Sequence, residues 1–176
     1  RLGAALAKAA EDNLVSEFAL AAIRLLILTG ARLSEILTLQ WAWVDFERKI
    51  IFLPDSKTGQ KPIHLNDEAI SVLTFLPRHA NNPYVIVGHR HGTHLVNLQK
   101  PWQAIRKLAG LETVRIHDLR HTHASVAVAK GGSLPVIGKI LGHTTPSTTA
   151  RYSHLGDDPV RQLSQTTGTA IAAGTR

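Results

Sequence analysis

A chain of 176 residues with 44% apolar side chains is long enough to bury a core and too apolar to be disordered by composition. It has no cysteine, which excludes disulfides, cysteine-ligated zinc and thiol catalysis, and its longest apolar stretch (residues 14–28, interrupted by Glu17 and Arg24) is too short to span a bilayer. Lys and Arg outnumber Asp and Glu by 20 to 13, a formal charge of +7, and a domain this basic is suited to a polyanionic partner.

In chain order, residues 16–29 are predicted as a helix, apolar around most of its circumference, with Gly30 as its C-terminal cap. A short helix follows over about 32–39. Residues 50–53 and 62–65 read as paired strands, joined by a polar hairpin tip at 54–61. Asn66 caps a helix to about Leu76. Residues 85–87 form a short apolar piece, ahead of a loop carrying His89, His91 and His94. An amphipathic helix is predicted over 98–108, closed by Gly110, and a longer one over 117–130, ended by Gly131-Gly132. Ser133 caps 134–141, and a last short helix is expected over 146–154. The sequence changes character beyond Gly156, and the Thr-, Ala- and Gly-rich residues 164–176 predict a tail that is mobile or ordered only by a partner. The fold class expected is mainly α with a small antiparallel β-sheet (α+β). No signal peptide is expected, because no small-residue cleavage site follows the apolar stretch. The lack of any methionine, even at the start, predicts that an N-terminal part is missing.

Four separated pieces carry chemistry together: Thr29-Gly30-Ala31-Arg32-Leu33-Ser34-Glu35, Ser56-Lys57-Thr58-Gly59, His117-Asp118-Leu119-Arg120-His121-Thr122, and Leu141-Gly142-His143 with Arg151-Tyr152. Their order, Arg, Lys, His-x-x-Arg, His, Tyr, resembles the signature of the tyrosine site-specific recombinases and phage-type integrases. Arg120 precedes His143 by 23 residues and Tyr152 follows it by nine, which also fits. The resemblance covers residues 15–155. A lone His-x-x-Arg would be weak; all members in order are specific.

The residue types suit the chemistry that the resemblance implies. A phosphodiester repels nucleophiles, and its transition state concentrates negative charge, which fixed donors must neutralise. Arg32 and Arg120 each offer a planar fork matching phosphate oxygens. Tyrosine has a reference pKa near 10, so Tyr152 as nucleophile needs a base or a strongly cationic site. By resemblance, His117 is that base, His143 donates a hydrogen bond to the phosphate, and Lys57 on its hairpin protonates the leaving 5′-oxygen. Glu35, one turn after Arg32, orients the cationic cluster. Attack by Tyr152 gives a 3′-phosphotyrosyl link and a free 5′-hydroxyl, and a 5′-hydroxyl from another strand reverses the step. Bond energy is conserved, so no nucleotide cofactor is implied, and Gly131-Gly132-Ser133 lacks the rest of a P-loop.

Singly, each residue has a plainer reading: a surface arginine, a solvated hairpin lysine, a capping histidine, a packed tyrosine. Their joint occurrence overrides these. His117 and His121, at a spacing of four, with His123 nearby, suggest a metal pair, but no His-Glu-x-x-His pattern or carboxylate cluster accompanies them, so no metal is expected. His89, His91 and His94 read as a solvated or DNA-facing loop, and Trp41, Trp43 and Trp102 as core or strand-edge packing.

The expectation is therefore a catalytic, integrase-like domain over residues 1–155, with a C-terminal tail over 156–176 that docks on a neighbouring protomer and an N-terminal DNA-binding domain absent. The resemblance implies a metal- and ATP-independent DNA strand transferase acting on double-stranded DNA. It also implies a tetrameric synapse for the full-length protein, a monomer for this chain alone, no membrane, and a cytoplasmic, nucleoid-associated location. The alternatives are a type IB topoisomerase-like nicking-closing enzyme, a DNA-binding module without catalysis, and a metal-dependent hydrolase.

Overall fold

The computed structural model describes residues 1–54, 61–153 and 157–174, and the chain divides into two units, residues 1–120 and 121–176. The first unit begins with α1 (Leu2–Glu11), which buries Ala5, Leu6 and Ala9. Next, α2 (Glu17–Thr29) is the core helix that its sequence predicts. Ser16 caps it by accepting the Ala19 N–H, and Gly30 ends it at φ +64°, a left-handed conformation that suits glycine. Its Ala22, Ile23 and Leu25 are wholly buried.

After α3 (Leu33–Leu37) come a 3-10 turn, Trp41–Trp43, and the sheet: β1 (Val44–Asp45), β2 (Ile50–Leu53) and β3 (Lys61–His64), antiparallel in the order β1-β2-β3. Ile51 faces Ile63 across β2 and β3, and period-two alternation buries Ile51 and Leu53 while exposing Phe52. The second hairpin strand thus lies one residue earlier than expected. Asn66 accepts the Ala69 N–H to start α4 (Asp67–Phe75), and its amide donates to the Leu28 carbonyl, tying that start to α2. Within α5 (Gln99–Leu108), Trp102 is buried and donates from Nε1 to the Val114 carbonyl at 3.0 Å. Trp41 lies under the Arg78 guanidinium, 4.4 Å from its ring centre.

Helix α6 (Asp118–Ala129) starts in the first unit and continues into the second. There α7 (Leu134–Leu141) packs on α8 (Pro146–Ala150), and Ala124, Val128, Ile137, Leu141 and Tyr152 form a separate small core. Helix α8 is shorter than expected. Residues 157–174 form α9 (Asp157–Gly174), a helix that takes in most of the 164–176 stretch read from the sequence as a tail. Its alanines, Gln165 and Leu163 are good helix formers, which outweigh the threonines and Gly168. The mainly helical architecture with one small antiparallel sheet is as expected.

Candidate active site

In the first unit, two guanidinium groups are fixed around the turn that ends α2. Arg32 is the N-cap residue of α3, and Glu35 serves it twice. One carboxylate oxygen accepts the Arg32 backbone N–H at 2.8 Å, and the other accepts Nη1 at 2.8 Å. Glu35 is buried, so this pairing keeps its charge compensated, and it leaves the Arg32 side chain 27% exposed. Arg120 is buried as well, and its Nη1 donates to the Gly30 carbonyl at 2.5 Å. That carbonyl lies two residues before Arg32. His117 is exposed, and its carbonyl accepts the Arg120 N–H. Beside it, the Arg115 N–H and guanidinium both bond Asp118, which braces the entry to α6. Lys57 lies outside the described residues.

In the second unit, Tyr152 is 6% exposed, and its hydroxyl lies 2.5 Å from His121 Nδ1. The ring packs with Ala124, Val128, Ile137 and Leu141. His143 follows the α7 cap Gly142, which sits at φ +66°, and its N–H donates to the Gly138 carbonyl. The His143 Nδ1 is 2.8 Å from Thr149 Oγ1.

Glu35, expected from the sequence to orient the cluster, pairs with Arg32. Sequence reasoning did not single out His121 as the neighbour of Tyr152, having set it aside with the metal pair. A signal was present: His121, Ala124 and Val128 recur at the spacing of one helix face, and that face is where the second core forms. Among the described residues, no group of three or more His, Asp or Glu side chains is placed to hold a metal ion. His94 is committed to Tyr84, ring to ring at 5.0 Å, while His89 and His91 are exposed. Among the described residues, no helix is long and apolar enough to cross a membrane.

The chain is similar to known proteins. The integrase of Salmonella phage P22 is 31% identical over 89% of this chain and 43% of its own length. The tyrosine recombinase XerC of Staphylococcus epidermidis is 27% identical over 80% of this chain and 50% of its own. The crystal structure of XerA recombinase superposes with a TM-score of 0.71 at 26% identity, covering 94% of this chain and 62% of that one. The chain therefore spans about half the length of the curated relatives it matches. The model of the phage integrase family matches residues 4–158, which is most of the sequence, and the chain belongs to that family.

Proposed function

We propose that this chain is the catalytic part of a site-specific DNA recombinase that cuts and rejoins double-stranded DNA through a 3′-phosphotyrosyl intermediate. The observation that carries this reading is the pair of arginines at one turn: Arg120 bonds the Gly30 carbonyl, and Arg32, two residues on, is fixed by Glu35. Two preorganised guanidiniums are what a phosphorane needs when charge must be neutralised by fixed donors. The Tyr152 oxygen attacks phosphorus, the bond to the 5′-oxygen breaks, and the departing oxygen takes a proton, a role we give to Lys57. A second strand's 5′-hydroxyl then reverses the step. His143 donates to a phosphate oxygen.

For the tyrosine's proton the reading names His121 ahead of His117, supported by the 2.5 Å approach of its Nδ1 to the hydroxyl. The near-complete burial of Tyr152 implies that the nucleophile moves outward before it meets a phosphate. DNA is held chiefly through phosphates, so binding weakens steeply with salt. A tetrameric synapse belongs to the full-length protein, in which α9 docks on a neighbouring protomer; this chain alone is a monomer, and its location is the cytoplasm, at the nucleoid.

The test is a nicked suicide duplex that traps the covalent adduct, with the modified residue mapped by mass spectrometry, in excess EDTA. An adduct on Tyr152 is expected. A hydrolysed product without adduct, or activity restored by a divalent ion, supports a metal-dependent hydrolase instead. Binding without any cleavage supports a DNA-binding module.

A further inference from the structure

Thr149 is 3% exposed, and among the described residues its hydroxyl has one hydrogen-bonding neighbour, Nδ1 of His143 at 2.8 Å. Several other hydroxyls on the helices behave differently. Those of Thr29, Thr74 and Ser125 donate to the carbonyl four residues back. Thr149 turns its hydroxyl outward from its own helix to the imidazole. A buried hydroxyl that only accepted here would leave its own hydrogen without a partner, which is costly. It therefore donates, and Nδ1 accepts.

The space for this bond is made by Gly138. A Cβ at that position would lie 3.0 Å from Thr149 Oγ1, tighter than ordinary contact. The Gly138 carbonyl also accepts the His143 N–H at 2.9 Å. Gly138 thus anchors the backbone of His143 and clears the place of the hydroxyl that holds its ring.

We propose that Thr149 is the positioning residue of His143. Its hydroxyl fixes the ring orientation and keeps the proton of the neutral imidazole on Nε2, so that Nε2 is a hydrogen-bond donor to a phosphate oxygen. The inference rests on the phosphate-binding role given to His143 above. The tautomer is set by the hydrogen bond at the other ring nitrogen, as in sites where a partner group orients a histidine.

The experiment combines ring-nitrogen NMR with cleavage kinetics on the whole chain. Nitrogen-15 spectra are recorded where imidazoles are neutral, and the His143 signals are assigned by their loss in His143→Gln. The wild type is expected to carry its proton on Nε2 alone. Thr149→Val, which keeps the volume and removes the hydroxyl, should give mixed tautomers or a shifted Nδ1 signal. It should also slow cleavage of the suicide duplex by between about tenfold and about a hundredfold, with DNA binding unchanged. Thr149→Ser should keep the wild-type ring signals and cleave within a few-fold of wild type.

A wild-type proton on Nδ1 overturns the proposal. So does Thr149→Val with ring signals unchanged, whatever its rate, because slower cleavage alone would report only lost packing. If His143→Gln cleaves like wild type, the role given to His143 falls, and the NMR comparison still decides whether Thr149 fixes the ring.

Discussion

Replacing Tyr152 by Phe separates chemistry from folding. The ring is retained, so the contacts with Ala124, Val128, Ile137 and Leu141 survive, and the loss is one oxygen with its 2.5 Å contact to His121. A hydrogen bond of this kind contributes about 0.5–1.5 kcal/mol net. In a domain of this size, about 1 kcal/mol lowers Tm by about 2–4 °C. Tyr152→Ala is the wrong variant, because emptying a 94% buried aromatic site costs about 3–5 kcal/mol and would confound the two effects. The Phe variant should retain DNA in a gel-shift assay and give no covalent adduct on a nicked duplex under denaturing electrophoresis. The chain has two tyrosines, so Tyr84→Phe is the natural control and should form adduct normally. An adduct in the Tyr152→Phe protein, or one that disappears in Tyr84→Phe, would refute the assignment. A Tm loss beyond about 10 °C would mean that the missing adduct reported unfolding and that the energetic reasoning was wrong.

Arg32→Ala and Arg120→Ala should each lower single-turnover cleavage at least ~10²-fold, and Arg→Lys should restore little, because an ammonium lacks the fork; near-normal rates in the Ala variants would remove these residues from the site. Trp102→Ala deletes a wholly buried indole together with its bond to Val114 and should cost about 3–5 kcal/mol in denaturant unfolding; a loss below about 1 kcal/mol would show that α5 is peripheral to the core. The Lys49 ammonium beside Asp67 holds its carboxyl below the ordinary aspartate value. Because the folded value is depressed, the stabilisation is complete above the ordinary value and is lost as pH falls through the lower, folded one. Lys49→Met should return the Asp67 midpoint, followed by carboxyl NMR, to the ordinary value, and an unmoved midpoint would show that the pair is not formed in solution.

Where punctuation is local, the sequence was a good guide. Ser16 and Gly30 bracket α2, Asn66 opens α4, and Gly142 closes α7, because each residue satisfies or bends a backbone end by itself. Helix α1 escaped notice because no side chain caps its start. The two residues of β1 are a strand only by virtue of their pairing with β2. Residues 157–174 were hidden by a threonine- and glycine-rich composition that lowers propensity without forbidding a helix. The site divides in the same way. Arg32 with Glu35 is a spacing of three and can be read from the letters, whereas the neighbour of a tyrosine hydroxyl cannot. That His121 meets the Tyr152 hydroxyl depends on which face of α6 lines the second core, a property of packing.

The bond from Arg120 to Gly30 joins residues 90 positions apart. Such a closure forms only after most of the intervening chain has been ordered, since loop entropy must be overcome before the contact contributes anything. During synthesis, Arg32 leaves the ribosome long before its partner exists. The two arginines become a matched pair only at the end of folding of the first unit, so a nascent or partly unfolded chain carries the positive charge without the geometry. Under the proposed function, that delay acts as a folding checkpoint: molecules that have not completed their architecture would bind phosphate loosely, without the organised pair of guanidiniums.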